Sequence, residues 1–271
     1  MPGMRGRAPT QEERLNYKTI MVAERASIKT ITLNRPERRN AMTPEMQDEL
    51  ISAMENAAGC RVLVLTGAGE AFCSGLDLSA LQAMQNKSAA EYRADAERIA
   101  RLFRTLYEMP VPTIASVHGA AIAGGTGLAI ICDFTLATPA AKFGFTEVRI
   151  GFVPALVSAY LALQIGDKRS RDLLLTGRLF NAAEAWRLGL VNEIVRPEDL
   201  AQRVQSLAEV LIANSPQSLR SNKRLMAAQN KSWLDAAIAD SITASAQARE
   251  TADFREGVAA FLDKRKPVWP K

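Results

Sequence analysis

Two turns that carry glycine, each placed after a run of apolar residues, are the segments of this sequence best suited to chemistry. The first is Ala71–Asp77, which follows Val62–Leu65, and the second is Gly119–Gly127, which follows Thr113–Val117. Glycine lets the backbone approach a ligand closely, and a helix that begins near Gly124 would direct free N–H groups outward. Two such turns can point two N–H groups at one carbonyl oxygen, which is the geometry of an oxyanion hole. Tight packing explains the same glycines equally well.

Other chemistries fit the sequence less well. A hydrolase nucleophile at Cys73 or Ser74, with His118 and Asp133, lacks the G-x-S-x-G turn, and a lone histidine is more often structural. A dinucleotide fingerprint that begins at Gly67 fails because Phe72 occupies the place of the last glycine, and no phosphate-binding P-loop is present. A single histidine also argues against a Cys/His metal site.

Alternating strands and helices, followed mostly by helices, must position these turns, and this order predicts an α/β core with a helical C-terminal region. Thr43 before Pro44, and Ser88 with Glu91, are helix-start signals. The apolar residues of the C-terminal helices need a partner, either the core or another subunit. The patterns predict strands at 20–24, 28–33, 62–65, 113–117, 134–137 and 191–195, and helices at 44–56, 88–108, 124–131, 155–165, 168–175, 182–188, 198–213, 217–229 and 233–262.

Length and composition describe an ordinary globular protein. The chain has 271 residues, of which 48% are apolar and 23% charged, so the composition excludes disorder as its main state. Three widely spaced cysteines indicate reduced thiols and a cytoplasmic location. Residues 1–16 are expected to form a flexible basic tail rather than a secretory signal. The segment 109–132 carries no acid, Lys or Arg and is long enough to span a bilayer, but its prolines and glycines favour a buried strand, turn and helix.

The charge balance indicates an anionic partner. Lys and Arg number 34 against 29 acids, a net charge of +5, with local clusters at Arg35–Arg39 and Lys264–Lys266. Nucleic acid is not expected, since aromatic residues make up only 6% of the chain. A phosphorylated small molecule suits these clusters better.

A series of motifs in one order resembles the enoyl-CoA hydratase/isomerase (crotonase) family, from about residue 17 to the end. The resemblance implies a spiral of ββα units over residues 17–200. It also implies a helical oligomerisation region over 201–271, and a homotrimer or hexamer. The motifs are Leu33–Pro36 with Asn40–Met42, Leu65–Gly67 with Ala71–Leu78, Val117–Gly119 with Ala123–Gly125, Cys132–Asp133, Phe143–Gly144 with Glu147 and Gly151, and Glu256–Gly257 with Phe261–Pro267.

The resemblance also implies a substrate and its contacts. The substrate would be an acyl-CoA thioester of fatty acid metabolism, with coenzyme A as part of the substrate and no separate cofactor. The N–H groups of Leu76 and Gly124 would hold the thioester oxygen and stabilise an enolate. The residues expected to bind coenzyme A or the acyl group are Arg35, Arg38, Ser74, Leu76, Asp77, Leu78, Ser79, Gly124 and Lys264. The cluster Lys264–Lys266 could come from the same subunit or from a neighbouring one.

Hydratases of this family carry two glutamates, and only one is present here. The second matches Glu147, whereas the first falls on Gly127. Addition of water suits two carboxylates, but one base can move a proton from C2 to C4 of a 3-enoyl thioester. Glu147 alone therefore favours isomerisation over fast hydration.

Several alternatives stay open at this point. Arg149 could share a strand face with Glu147 and hold it ionised, or it could face solvent. Gly127 could leave room for a branched acyl group, or another acid could replace the missing one. A hydratase that tolerates the missing glutamate stays open beside an isomerase. The remaining hypotheses are other reactions of the family (decarboxylation, ring chemistry, thioester hydrolysis) and an acyl-CoA-binding protein with little activity.

Overall fold

The computed structural model describes residues 17–57, 59–83 and 87–270, so the expected tail over 1–16 lies outside the described residues. The strands are β1 Ile20–Arg25, β2 Ile28–Leu33, β3 Val62–Gly67, β4 Ala71–Cys73, β5 Thr113–Val117, β6 Ala120–Ile122, β7 Phe134–Ala137, β8 Lys142–Gly144, β9 Leu179–Asn181 and β10 Glu193–Ile194. The helices are α1 Pro44–Glu55, α2 Leu78–Ala83, α3 Ala89–Tyr107, α4 Gly124–Ile131, α5 Ala155–Thr176, α6 Ala182–Leu188, α7 Leu200–Ala213, α8 Pro216–Ala248 and α9 Ala252–Leu262.

Two sheets organise these elements. One has the strand order β1-β2-β3-β5-β7-β10 and the other β4-β6-β8-β9. Each of the successive pairs β3/β4, β5/β6 and β7/β8 contributes one strand to each sheet, and like strands pair in parallel. The chain therefore winds as a spiral, which confirms the predicted α/β class and places both glycine turns at the ends of strands of the smaller sheet.

The local signals of the sequence act as expected at two helix starts. The Thr43 side chain accepts a hydrogen bond from the N–H of Met46, and Ser88 with Glu91 forms a complete capping box. The strands of the smaller sheet were not predicted. The sequence predicts a turn at residues 71–73, which form strand β4, because a run of three residues is too short to show alternation.

The predicted break between two C-terminal helices at 230–232 is wrong. Helix α8 runs unbroken through Asn230–Ser232, polar residues that a helix tolerates on an exposed face. The chain turns at Arg249–Thr251 instead, where the Thr251 hydroxyl accepts from the N–H of Phe254 and caps α9. Along α8, Leu234 and Ile238 are buried against the core, while Leu225, Met226 and Trp233 are exposed.

The long uncharged segment 109–132 forms part of the core. It contains β5, β6 and α4, as the strand, turn and helix interpretation predicted. Within the described ranges, no helix combines the length and the apolar character needed to cross a bilayer.

Candidate active site

A cavity of about 790 Å³ opens at the surface and ends among buried apolar side chains. Its outer part is lined by exposed basic residues, Arg38, Arg39, Arg149, Arg265 and Lys266. Its inner part is lined by the buried side chains of Ile99, Phe103, Phe152, Leu156 and Val157. The site therefore suits a ligand with an anionic end and an apolar end.

The first glycine turn reaches this cavity through Leu76. Gly75 has a φ of +92°, a conformation that glycine adopts without strain. The Met42 N–H donates to the Gly75 carbonyl at 2.7 Å, and the Asp77 N–H donates to the Met42 carbonyl at 2.9 Å. Between these two bonds, the N–H of Leu76 has no acceptor in the part of the chain that the structure describes.

The second glycine turn presents the N-terminus of α4. Ala123 adopts a φ of +54° and donates its N–H to the Gly144 carbonyl at 2.7 Å, so that α4 begins at Gly124. The first N–H groups of a helix have no partner within it, and the helix dipole makes this end positive. A Cβ built on Gly75 would lie 3.6 Å from the Gly124 nitrogen. The two turns are thus in contact, and both line the cavity.

Glu147 lies in a 3₁₀ turn, Glu147–Ile150, and not on a strand as its pairing with Arg149 would require. The Phe152 N–H donates to the Glu147 carbonyl at 3.0 Å, and Gly151 ends the turn with a φ of +65°. Helix α9 packs directly on this turn: a Cβ on Gly257 would lie 2.3 Å from Ile150 backbone atoms. The C-terminal region therefore fixes the position of the glutamate.

One of the two oxygens of the Glu147 carboxyl is unpartnered within the described ranges. Its Oε2 is enclosed and has no hydrogen-bond partner among the described residues, whereas the Arg149 side chain is exposed. The possibility that Arg149 holds Glu147 ionised is therefore wrong, since the 3₁₀ turn separates the two side chains. Burial raises the pKa of Glu147 to about 7, so the carboxyl can exchange a proton near neutral pH.

Gly127 lies in α4, beneath the cavity, and the space beside it is filled. A Cβ on Gly127 would lie 2.9 Å from Cζ of Phe103 and 3.1 Å from Cγ2 of Val157. The expectation that Gly127 leaves room for a branched acyl group is therefore wrong, because an aromatic ring from α3 occupies that room.

The other acids that line the cavity lie apart from its apolar end. Glu37 is exposed, and Asp77 is bound by Arg35 at 2.9 Å, by the Ser79 N–H at 3.0 Å and by the Ser79 hydroxyl. Burial opposes ionisation of Asp77, but the hydrogen bonds from Ser79 and Arg35 outweigh it and lower its pKa. No acid in the described ranges therefore replaces the missing glutamate at the cavity wall.

The structure brings most of the expected site residues together. Arg35 does not line the cavity; its guanidinium is held by Asp77 and by the Ala41 carbonyl at 2.6 Å. Lys264 does not line it either, whereas its neighbours Arg265 and Lys266 do. The side chain of Leu78 lies outside the described part of the structure. Those that line the cavity are Arg38, Ser74, Leu76, Asp77, Ser79, Gly124 and Glu147.

The hydrolase alternative lacks its geometry. Cys73 is fully buried, and burial raises the pKa of its thiol to about 12. Nε2 of His118 is bonded to the Gly69 carbonyl at 2.9 Å, and Asp133 accepts from the Thr113 N–H at 2.7 Å. These side chains stabilise the turns rather than form a triad.

Sequence reasoning missed the aromatic residues of the site, Phe103 and Phe152. Phe103 belongs to the apolar stripe of α3, and the spacing of such a stripe cannot separate a cavity wall from the core. The only signal in the sequence was Gly127, because a glycine leaves space that a large side chain from a neighbouring element can fill.

Comparison with known proteins agrees with this fold. Residues 23–271 match the model of the family described as enoyl-CoA hydratase/isomerase, and the chain belongs to that family. A Thermus thermophilus protein named "Putative enoyl-CoA hydratase" is 43% identical over 251 residues, which cover 92% of this chain and 99% of the relative. The crotonyl-CoA hydratase of Syntrophomonas wolfei is 31% identical, covering 92% and 97%.

Solved structures show the same architecture. An enoyl-CoA hydratase/isomerase from Xanthobacter autotrophicus superposes with a TM-score of 0.84 at 28% identity, covering 94% of this chain and all of that one. An enoyl-CoA hydratase from Mycobacterium smegmatis superposes with a TM-score of 0.76 at 31% identity, covering 93% and 99%. The chain therefore has the crotonase fold.

Proposed function

We propose that this protein moves the double bond of a 3-enoyl-CoA thioester to the 2 position, with Glu147 as the single acid/base. The observation that carries the proposal is the Glu147 carboxyl, whose enclosed Oε2 has no hydrogen-bond partner among the described residues and whose pKa is raised to about 7. The other two acids of the described cavity lining do not assist it, because Glu37 is exposed and Asp77 is bound by Arg35 and Ser79. A base with a pKa near neutrality accepts a proton readily at physiological pH and gives it back equally readily.

In this mechanism the N–H groups of Leu76 and Gly124 bind the thioester oxygen. Their donors strengthen as negative charge develops on that oxygen, so they stabilise the enolate more than the ground state. Glu147 removes a proton from C2 and returns it to C4, so that the double bond shifts and no atom is gained or lost. The basic residues at the cavity mouth bind the phosphates of coenzyme A.

Hydration of a 2-enoyl-CoA is the second candidate, favoured by the names of the relatives. The Thermus thermophilus and Syntrophomonas wolfei proteins are both named as hydratases. In that reaction Glu147 would have to activate the water and deliver the proton alone, which one carboxylate does poorly.

The deciding experiment assays the purified protein on 3-enoyl-CoA and on trans-2-enoyl-CoA with water, each with wild type and Glu147→Gln. We expect isomerisation to dominate and to fall about 10²–10⁴-fold in the variant, the usual contribution of a general base. Rapid hydration that depends on Glu147 would establish the second candidate instead. Binding of CoA esters without either reaction would point to another reaction of the family or to an acyl-CoA-binding protein.

A further inference from the structure

The contact between Phe103 and Gly127 closes the cavity wall at one particular point. Phe103 and Val157 both line the cavity, and both lie within 3.1 Å of the position that a Cβ on Gly127 would take. A side chain at 127 would thus project toward the cavity, between two of its lining residues. In this protein the projection is absent, and the ring of Phe103 lies in its place.

The ring is held where it is. Phe103 is 2% exposed and packs edge-on against Tyr160, with ring centroids 6.2 Å apart and an interplanar angle of 88°. Tyr160 packs in turn on Tyr107, at 5.4 Å between centroids. Displacing the ring would therefore disturb a buried aromatic cluster, so the filled wall is a stable feature.

The two candidate reactions differ in what they need from this wall. Hydration forms a bond between a water oxygen and C3 and places a proton on C2, so the site must hold a water and the groups that activate it. Isomerisation moves one proton from C2 to C4 and needs no water. The apolar ring of Phe103 in the cavity wall offers no hydrogen bond to a water, and it fills the space beside Gly127.

We propose that Phe103 is a specificity-determining residue that excludes a second acid and its water from the space beside Gly127, and so restricts the site to double-bond movement. This inference rests on the proposed function for its first test. Its second test measures hydration alone and does not depend on isomerase activity.

The first test follows proton exchange with solvent. Wild type converts 3-enoyl-CoA in D₂O, and the product is analysed for deuterium at C4. With water excluded, Glu147 delivers to C4 the proton that it removed from C2, so the hydrogen added at C4 is protium. Phe103→Ala admits water to the acid, and we expect deuterium at C4 to rise at least threefold. The control is Leu106→Ala, also on α3 and 1% exposed but absent from the cavity lining, which should resemble wild type.

The second test places an acid where the ring lies. We expect Phe103→Ala/Gly127→Glu to hydrate trans-2-enoyl-CoA at least tenfold faster than the matched amide, Phe103→Ala/Gly127→Gln. Gly127→Glu alone should give no gain, because its side chain meets the ring. Circular dichroism shows whether each variant is folded, and calorimetry shows whether it binds butyryl-CoA.

The outcomes separate this inference from the proposed function. Equal hydration by the folded acid and amide variants, or unchanged deuterium in Phe103→Ala, would overturn the role of Phe103 while leaving an isomerase in place. If wild type shows no isomerase activity, the proposed function is wrong. The role of Phe103 is then decided only by whether Phe103→Ala/Gly127→Glu hydrates faster than Phe103→Ala/Gly127→Gln. If the double variants do not fold, the exchange measurement on Phe103→Ala decides.

Discussion

Arg249, the residue that follows α8, donates a 2.7 Å hydrogen bond to the carboxylate of Asp95 on α3, and both side chains are buried. The same guanidinium lies 4.8 Å from the centre of the Phe152 ring and donates to the Ser245 carbonyl at 2.7 Å. Phe152 and Ser245 both line the cavity. This ion pair therefore joins the C-terminal helices to the core directly behind the cavity wall.

Arg249→Met should lower the free energy of unfolding by about 3–5 kcal/mol, because it leaves the Asp95 charge buried without its main partner. The remaining contact of Asp95, with Arg98 at 3.5 Å, is weaker. Urea unfolding measures the change. The matched control is Arg171→Met, which breaks a pair with Asp167 whose side chains are 65% and 78% exposed and should cost at most about 1 kcal/mol. Equal losses in the free energy of unfolding would show that the buried pair stabilises the fold no more than the exposed one.

The rate of isomerisation should follow the ionisation of Glu147. Since the base must be a carboxylate, kcat/KM of wild type should rise with pH through a midpoint near 7, where burial places the pKa of Glu147. The measurement is a pH–rate profile on 3-enoyl-CoA, with Glu147→Gln expected to show a low, flat profile. A midpoint at the ordinary glutamate value of about 4.3 would mean that the carboxyl is solvated in the free enzyme.

The same shift has a consequence for stability. The pKa of the Glu147 carboxyl is higher in the folded state than in the unfolded state, so the protonated carboxyl stabilises the fold fully at pH values below the unfolded-state pKa. This contribution is lost as the pH rises through about 7, the folded-state pKa. Glu147→Gln keeps a neutral side chain, so it should exceed wild type in stability at pH 8.5 by at most about 3 kcal/mol, with the gap closing near pH 4. Thermal melts at both pH values measure it. Glu198→Gln, at a side chain that is 64% exposed, serves as the control and should show no comparable pH-dependent gap.

The alignment of the two N–H groups should depend on Gly75. In Gly75→Ala the new Cβ would lie 2.9 Å from Cβ of Ala123 and 3.0 Å from the Ile122 carbonyl, at a φ of +92°. The turn must shift, and we expect kcat to fall about 10²–10³-fold, the usual loss when one oxyanion donor is misplaced.

Gly189→Ala separates this effect from backbone strain. Gly189 has a φ of +84°, and a Cβ there would meet nothing within 4 Å. The variant should lose about 1 kcal/mol of stability and keep its activity. Full activity in a folded Gly75→Ala would show that the two turns do not form the oxyanion site.

The cavity mouth should bind the phosphates through Lys266 rather than Lys264. Of these two lysines, only Lys266 lines the cavity. Lys266→Gln should therefore raise KM for a CoA substrate about threefold to tenfold and leave kcat unchanged, whereas Lys264→Gln should change neither constant. The corresponding acyl-pantetheine, which lacks the nucleotide, should not distinguish the variants. Equal effects of Lys264→Gln and Lys266→Gln would show that the phosphates bind elsewhere.

Features that depend on neighbours along the chain were predictable from the amino-acid sequence. Apolar runs fixed β5 at Thr113–Val117 and β7 at Phe134–Ala137, and Gly124 fixed the start of α4. Helix caps at Thr43 and Ser88 are equally local. Ordered motifs identified the family and pointed to Leu76, Gly124 and Glu147, because these positions lie in turns of characteristic sequence.

The set of side chains that share the cavity depends instead on how distant elements pack in three dimensions. Glu147 does not pair with Arg149 because both lie in a 3₁₀ turn packed against α9. This turn leaves the Arg149 side chain exposed at the surface. The ring that fills the space beside Gly127 comes from α3, more than twenty residues earlier in the chain. Long-range packing sets both, and a periodic pattern reports only that a residue is apolar, not which surface it meets. The chemistry available to Glu147 is therefore set by contacts between distant elements.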